Sequence, residues 1–207
     1  MNFDNIDIKN IYKTWNITLE MLNDRKYDVP NKYNITLEEF TILYNTNNLY
    51  IHIPKTDVKN DICVFFSLIE KAISKKLFNI LIDELFEKYT PNTHIILVMK
   101  KKINNIIIKE LQNEKNKNVQ IYLSNKLYYN ITKHYLVPEH IPLNKKEKTD
   151  MMEKYNVTEN QIPKILEKDP ITCYYGMKNG DVCKIIRKNK YVGTEISYRI
   201  VVSKDSL

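Results

Sequence analysis

Ser74-Lys75-Lys76-Leu77-Phe78-Asn79-Ile80-Leu81-Ile82-Asp83-Glu84-Leu85-Phe86-Glu87-Lys88-Tyr89, with His94-Ile95-Ile96-Leu97-Val98-Met99 just beyond it, decides the fold class. Leu77, Phe78, Leu81, Ile82, Leu85, Phe86 and Tyr89 recur at the 3.6-residue period of a helix with one apolar face, and Ser74 supplies the N-cap oxygen. His94–Met99 is a short continuous apolar run, the pattern of a strand buried on both faces. A helix leading into a buried strand is half of an α/β unit.

The pattern extends in both directions. Upstream, Leu49-Tyr50-Ile51-His52-Ile53 alternates and Ile62–Phe66 is uniformly apolar, which predicts two strands paired as a hairpin. Ile11, Trp15, Thr18, Leu19 and Leu22 predict an amphipathic helix over 8–25, and Thr36-Leu37-Glu38-Glu39 has the form of a capping box opening a short helix. Downstream, residues 103–113 read as a helix and Val119–Leu123 as a strand. Alternating strands and helices imply a mixed sheet with helices packed on it.

The chain changes character near residue 134. All three glycines, Gly176, Gly180 and Gly193, lie in the last third, with Pro138, Pro142, Pro163 and Pro170. The 207 residues therefore divide into an α/β domain, 1–133, and a smaller α+β domain, 134–207. In the second, Asn144 with Glu147 has the form of a capping box for a helix carrying Met151, Met152 and Tyr155 inward. Thr158 caps a second short helix that Asp169-Pro170 stops. Asn179-Gly180 marks a turn, and Val182–Arg187 with Glu195–Val202 reads as a strand pair joined through Gly193.

Composition excludes several classes. No apolar run approaches the roughly 20 residues that span a bilayer, and the amino terminus lacks the basic-then-apolar pattern of a secretory signal. The Asn-x-Thr triplets at Asn16, Asn34, Asn130 and Asn156 are therefore not expected to be glycosylated. Cys63, Cys173 and Cys183 have no zinc-type spacing and read as small buried hydrophobes rather than nucleophiles. The net charge of +7 is spread along the chain, +4 over 1–133 and +3 over 134–207, so neither part is a basic domain. Local concentrations occur at Lys100-Lys101-Lys102 and at Lys184, Arg187, Lys188 and Lys190. Asn, Lys and Ile make 83 of the residues, a bias of an AT-rich genome.

No catalytic constellation can be assembled. The glycines form no phosphate-binding loop. His134 and His140 lack further ligands at a familiar spacing, which points to a structural role. Asp57-Val58-Lys59 has the acid-x-lysine form of some metal-dependent nucleases, yet follows Pro54 in a polar stretch that reads as a solvated turn. No cofactor and no metal are expected.

The second domain closely resembles the fifth subunit shared by eukaryotic nuclear RNA polymerases, which has an archaeal counterpart that lacks the first domain. Five blocks carry the resemblance in register: Asn130-Ile131-Thr132-Lys133-His134-Tyr135-Leu136-Val137-Pro138-Glu139-His140, Glu159-Asn160-Gln161-Ile162-Pro163-Lys164-Ile165, Asp169-Pro170-Ile171-Thr172-Cys173-Tyr174-Tyr175-Gly176, Val182-Cys183-Lys184-Ile185-Ile186-Arg187, and Tyr198-Arg199. The first domain resembles the eukaryotic jaw module of that subunit more loosely, through Trp15, Asn23-Asp24-Arg25-Lys26-Tyr27, Ile35-Thr36-Leu37-Glu38-Glu39-Phe40 and Val64-Phe65-Phe66. The chain departs from the family at Lys100–Asn105, where a segment facing downstream DNA is usual, and at Lys188–Val192. These departures and the Asn/Lys/Ile bias suggest a polymerase encoded by a giant DNA virus.

The resemblance implies an α/β jaw domain and a small α+β assembly domain in a non-catalytic subunit of a DNA-directed RNA polymerase. Catalytic residues would lie in other subunits, and this chain would be a monomer within the hetero-oligomer. The assembly domain would dock on the largest subunit, near other small subunits, with His134, Val137, Pro138, His140, Asp169, Pro170, Tyr175, Gly176, Arg187 and Arg199 as candidate residues. Lys100, Lys101 and Lys102 would lie near downstream duplex DNA. The implied location is a virion or cytoplasmic virus factory for a viral chain and the nucleus for a cellular one. Competing readings are a metal-dependent nuclease centred on Asp57 and Lys59, and a free-standing DNA-binding adaptor.

Overall fold

The computed structural model describes residues 3–46, 49–54, 60–67, 73–89, 92–101, 103–111, 113, 116, 118–189 and 193–203. The chain forms two compact units, 1–129 and 130–207.

The first unit is built on a four-stranded sheet. It contains helices α1 (Phe3–Asp24), α2 (Leu37–Asn45), α3 (Lys75–Lys88) and α4 (Asn105–Glu110), and strands β1 (Tyr50–Ile53), β2 (Ile62–Ser67), β3 (His94–Met99) and β4 (Val119–Leu123). The strands lie in chain order. β1 and β2 form the antiparallel hairpin, and β3 and β4 add in parallel through the α3 and α4 crossovers. Side-chain alternation places Phe65, Ile95, Leu97, Met99 and Val119 against Phe78, Ile82 and Leu85 of α3 and Ile107 of α4. Phe66, next to Phe65, points the other way and meets Trp15 of α1, whose ring also packs on Phe40 of α2 and on Tyr33. The result is three layers, with the sheet in the middle.

Local signals act as the residue types require. Thr36 and Glu39 close a reciprocal capping box at the start of α2, and Ser74 Oγ accepts from the Leu77 N–H. α1 begins before the expected residue 8, and α4 is shorter than 103–113. Asn104 accepts from the Ile106 N–H and so fixes the start of α4.

The second unit holds a four-stranded mixed sheet rather than a strand pair alone, ordered β5 (Glu139–Pro142), β7 (Val182–Asn189), β8 (Gly193–Val202) and β6 (Lys164–Leu166). β5–β7 and β7–β8 are antiparallel and β6–β8 parallel. Helix α5 (Lys145–Tyr155) places Met151 over Val182, Ile200 and Val202 on one face. Met177, following α6 (Pro170–Tyr175), packs with Cys183, Ile185 and Val201 on the other.

Met151 is buried and Met152 half-buried as read, whereas Tyr155 at the end of α5 is 50% exposed and leans on Tyr198. Asp169-Pro170 does not end a helix but opens one. The Asp169 carboxylate accepts from the Ile171 N–H at 2.9 Å and Pro170 occupies the first turn, where its missing N–H costs nothing. The segment after Thr158 is a single 3-10 turn, Glu159–Gln161. Cys63 and Cys183 are buried, while Cys173 is only half-buried, its thiol near the Glu167 carbonyl.

Candidate interaction surface

The second unit opens at Asn130, whose side chain accepts from the Thr132 N–H at 2.9 Å and starts the 3-10 turn Ile131–Lys133. His134 follows. Its Nδ1 accepts from the Leu136 N–H at 3.2 Å, and its ring stacks on Tyr135 at 4.9 Å. This tight turn drives two large apolar side chains outward, Tyr135 at 87% and Leu136 at 70% exposure. Val137 donates its N–H back to the His134 carbonyl at 2.9 Å, which closes the turn. Pro138 then leads into β5, and its carbonyl meets His140 Nδ1 at 2.7 Å.

Register assigns the remaining candidates. His140 lies opposite Ile185, Cys183 opposite Arg199, and Arg187 opposite Glu195. Directly opposed residues of antiparallel strands share a face. His140, Arg187 and Arg199 therefore stand on the face on which Tyr175 and Met177 pack. Arg187 is exposed; Arg199 is half-buried, with Nη1 3.4 Å from the Lys164 carbonyl. Asp169, Pro170 and Gly176 shape α6: the first two open it, and Gly176 ends it in the left-handed region, φ 67°. These three shape α6, while the turn at 134–138 and the strand face bearing the arginines carry the other candidates.

Burial pushes the Cys183 thiol up to about 11, although the nearby Arg199 opposes this. It is a neutral packing group at physiological pH rather than a nucleophile. The protruding Tyr135 and Leu136 were not singled out from sequence. Adjacent large apolar residues between a helical turn and a proline are the available signal.

The lysine cluster in the first unit separates. Lys100, following β3, turns from solvent to an ion pair with Asp7 of α1, and its Nζ lies 3.2 Å from the Tyr44 hydroxyl of α2. The Tyr44 hydroxyl donates to Asp7 at 2.9 Å. Burial works against the ammonium, but its hydrogen bonds to Asp7 and Tyr44 more than offset this and raise its pKa. Lys100 therefore ties α1 and α2 to the end of β3, and Lys101 is the exposed neighbour. Lys102 lies outside the described residues, as do Asp57, Lys59 and Lys190. Among the described residues no three His, Cys, Asp or Glu side chains gather as a metal site would require.

Comparison with known proteins gives these surfaces a context. Residues 129–201 match the family described as RNA polymerase Rpb5, C-terminal domain. A Dictyostelium discoideum protein named as a subunit of DNA-directed RNA polymerases I, II and III is 30% identical over 95% of this chain and 99% of its own length. An Arabidopsis thaliana protein, subunit 5B of DNA-directed RNA polymerases IV and V, is 31% identical over 95% of this chain and 91% of its own. A Caenorhabditis elegans subunit of polymerases I, II and III is 28% identical over 92% and 96%. The matches run through both units, so the chain belongs to the Rpb5 family of DNA-directed RNA polymerase subunits.

Proposed function

We propose that this chain is a non-catalytic subunit of a multisubunit DNA-directed RNA polymerase. The observation that carries the reading is similarity across nearly the full length of two relatives named as such subunits, over both units rather than one. The nuclease alternative has no comparable support. Purification through a tagged copy from the native cell should recover the largest polymerase subunits in stoichiometric amounts, with template-dependent RNA synthesis. A chain recovered alone, or one that cleaves DNA with magnesium and loses this on Asp57→Ala, refutes the proposal.

Within that reading the second unit docks on the largest subunit, beside other small subunits. The exposed Tyr135 and Leu136, with His134, Val137, Pro138 and His140 around them, offer the desolvatable apolar centre that an interface needs. Arg187 and Arg199 supply polar contacts nearby. Asp169, Pro170, Tyr175 and Gly176 hold the supporting helix. The first unit lies near downstream duplex DNA, where a sequence-neutral hold is met by lysine on phosphate. Lys101 and Lys102 are the contacts proposed, while Lys100, tied to Asp7 and Tyr44, fastens the end of β3. Removing one lysine–phosphate pair should reduce the salt slope of DNA retention by about 0.9. Lys101→Ala in the assembled enzyme should show that change, and no change at any salt counts against the contact. A cellular source places the chain in the nucleus; a viral one places it in the virion or virus factory.

A further inference from the structure

The rim strand of a sheet carries hydrogen-bonding groups that its neighbours do not use, and folded chains either close such edges or employ them. β1 is an edge of the first sheet and is closed at His52 by one side chain. The Tyr33 hydroxyl accepts from the His52 N–H at 2.9 Å and donates to the His52 carbonyl at 2.8 Å. β6, one edge of the second sheet, is partly closed as well, since Thr172 Oγ1 donates to the Leu166 carbonyl at 2.8 Å and Arg199 reaches the Lys164 carbonyl.

β5, the other edge of that sheet, has no such closure among the described residues. The Leu143 N–H donates to the Val182 carbonyl at 2.9 Å. Antiparallel alternation then turns the backbone groups of Ile141 and Glu139 toward β7, and those of His140 and Pro142 outward. Pro142 agrees with this, because its missing N–H falls on the rim, where the sheet needs no donor. The His140 N–H and carbonyl and the Pro142 carbonyl have no hydrogen-bond partner among the described residues.

We propose that β5 accepts an extended segment of the subunit on which the second unit docks, as a fifth strand of the sheet. This rests on the polymerase-subunit reading and names how the docking is made. The edge continues directly from the protruding Tyr135 and Leu136, and Ile141 on it is 37% exposed, so apolar area and free backbone groups occur together. The incoming segment offers one carbonyl to the His140 N–H and two N–H groups to the His140 and Pro142 carbonyls. The residue between those two N–H groups sits beside Ile141 and is apolar. A second copy of this chain fits poorly. Two β5 strands pairing through His140 exchange only two hydrogen bonds, and Pro142 prevents the ladder from lengthening.

Amide hydrogen exchange tests this. Of the five amides between Val137 and Leu143, that of Val137 is bonded in its turn and those of Glu139, Ile141 and Leu143 face β7, leaving His140 to exchange fast in the free protein. In polymerase purified through this chain, the His140 amide should slow by about 100-fold or more. His140→Pro, which deletes that donor at a rim position, should reduce co-purification at least several-fold while the thermal unfolding of the free chain stays near the parent's. A His140 amide as fast in the polymerase as in the free chain overturns the strand addition and leaves the subunit reading standing. Protection that appears in the free chain with rising concentration, together with a dimer, identifies a second copy as the occupant and also overturns it. A chain absent from the polymerase overturns the subunit reading itself.

Discussion

Replacing Tyr33 by phenylalanine isolates the closure of the β1 edge. The ring keeps its place, because its edge-on contact with Trp15 at 6.2 Å and the indole N–H donating to the Tyr33 carbonyl at 3.0 Å do not involve the hydroxyl. Both His52 backbone hydrogen bonds are lost at once. Each neutral hydrogen bond contributes about 1 kcal/mol net, so about 2 kcal/mol is the ceiling. Water can reach part of a rim that solvent already borders, which brings the expected loss to about 1–2 kcal/mol. Exchange of the slowest amides in β2 and β3 reads the global opening of this unit and should accelerate by about 5- to 30-fold. The His52 amide should lose its protection outright, beyond the change in its neighbours. Unchanged exchange at His52 refutes the closure, since no other change in the variant would keep that donor bonded. An unchanged core with a fast His52 amide refutes only the energy.

Lys100→Ala should destabilise the first unit by about 1 kcal/mol, a modest loss because Asp7 is 37% exposed and can rehydrate, and a denaturant midpoint shift at unchanged slope checks it. Because the folded pKa of Lys100 is raised, that contribution is complete below the ordinary lysine value of about 10.4 and is lost as pH climbs through the higher folded value. Titration between pH 7 and 9 should therefore show no Lys100-dependent change. Burial pushes both Cys63 and Cys183 up to about 11, so iodoacetamide on the folded chain should modify Cys173 first, and mass mapping that found Cys63 or Cys183 labelled equally fast would contradict the burial. Gly176→Ala forces a Cβ into the left-handed region at φ 67° and should cost the second unit about 1–2 kcal/mol. Gly176→Asn should recover much of that loss in thermal unfolding.

What could be read from sequence was local. The stripe of α3, the capping boxes at Thr36 and Asn144, and the runs of β2, β3 and β4 each declare themselves within a dozen residues, and the fold repeats them. β5 and β6 escaped because four and three residues beside prolines carry too little alternation to register. Asp169-Pro170 was misread because the same pair that interrupts one helix is suited to begin the next. The fate of Lys100 was illegible for another reason, since its partner Asp7 lies 93 residues away and a charge run looks solvated until the fold supplies a neighbour. Arg25 is similar: its guanidinium reaches Gln120 and Tyr122 on β4, an encounter that no spacing announces. The edge presented by His140 becomes visible only once strand register is known, because backbone direction is not written in a residue's identity.

Trp15 is the only tryptophan in the chain, and it is held among Tyr33, Phe40 and Phe66 in the first unit. Selective excitation of the indole therefore reports one half of the molecule, while the other half emits only through tyrosine. A denaturation curve followed by indole emission should register the first unit alone, whereas far-ultraviolet circular dichroism averages both. Coincidence of the two curves would establish that the units melt as one cooperative body, and divergence would separate their stabilities without cutting the chain.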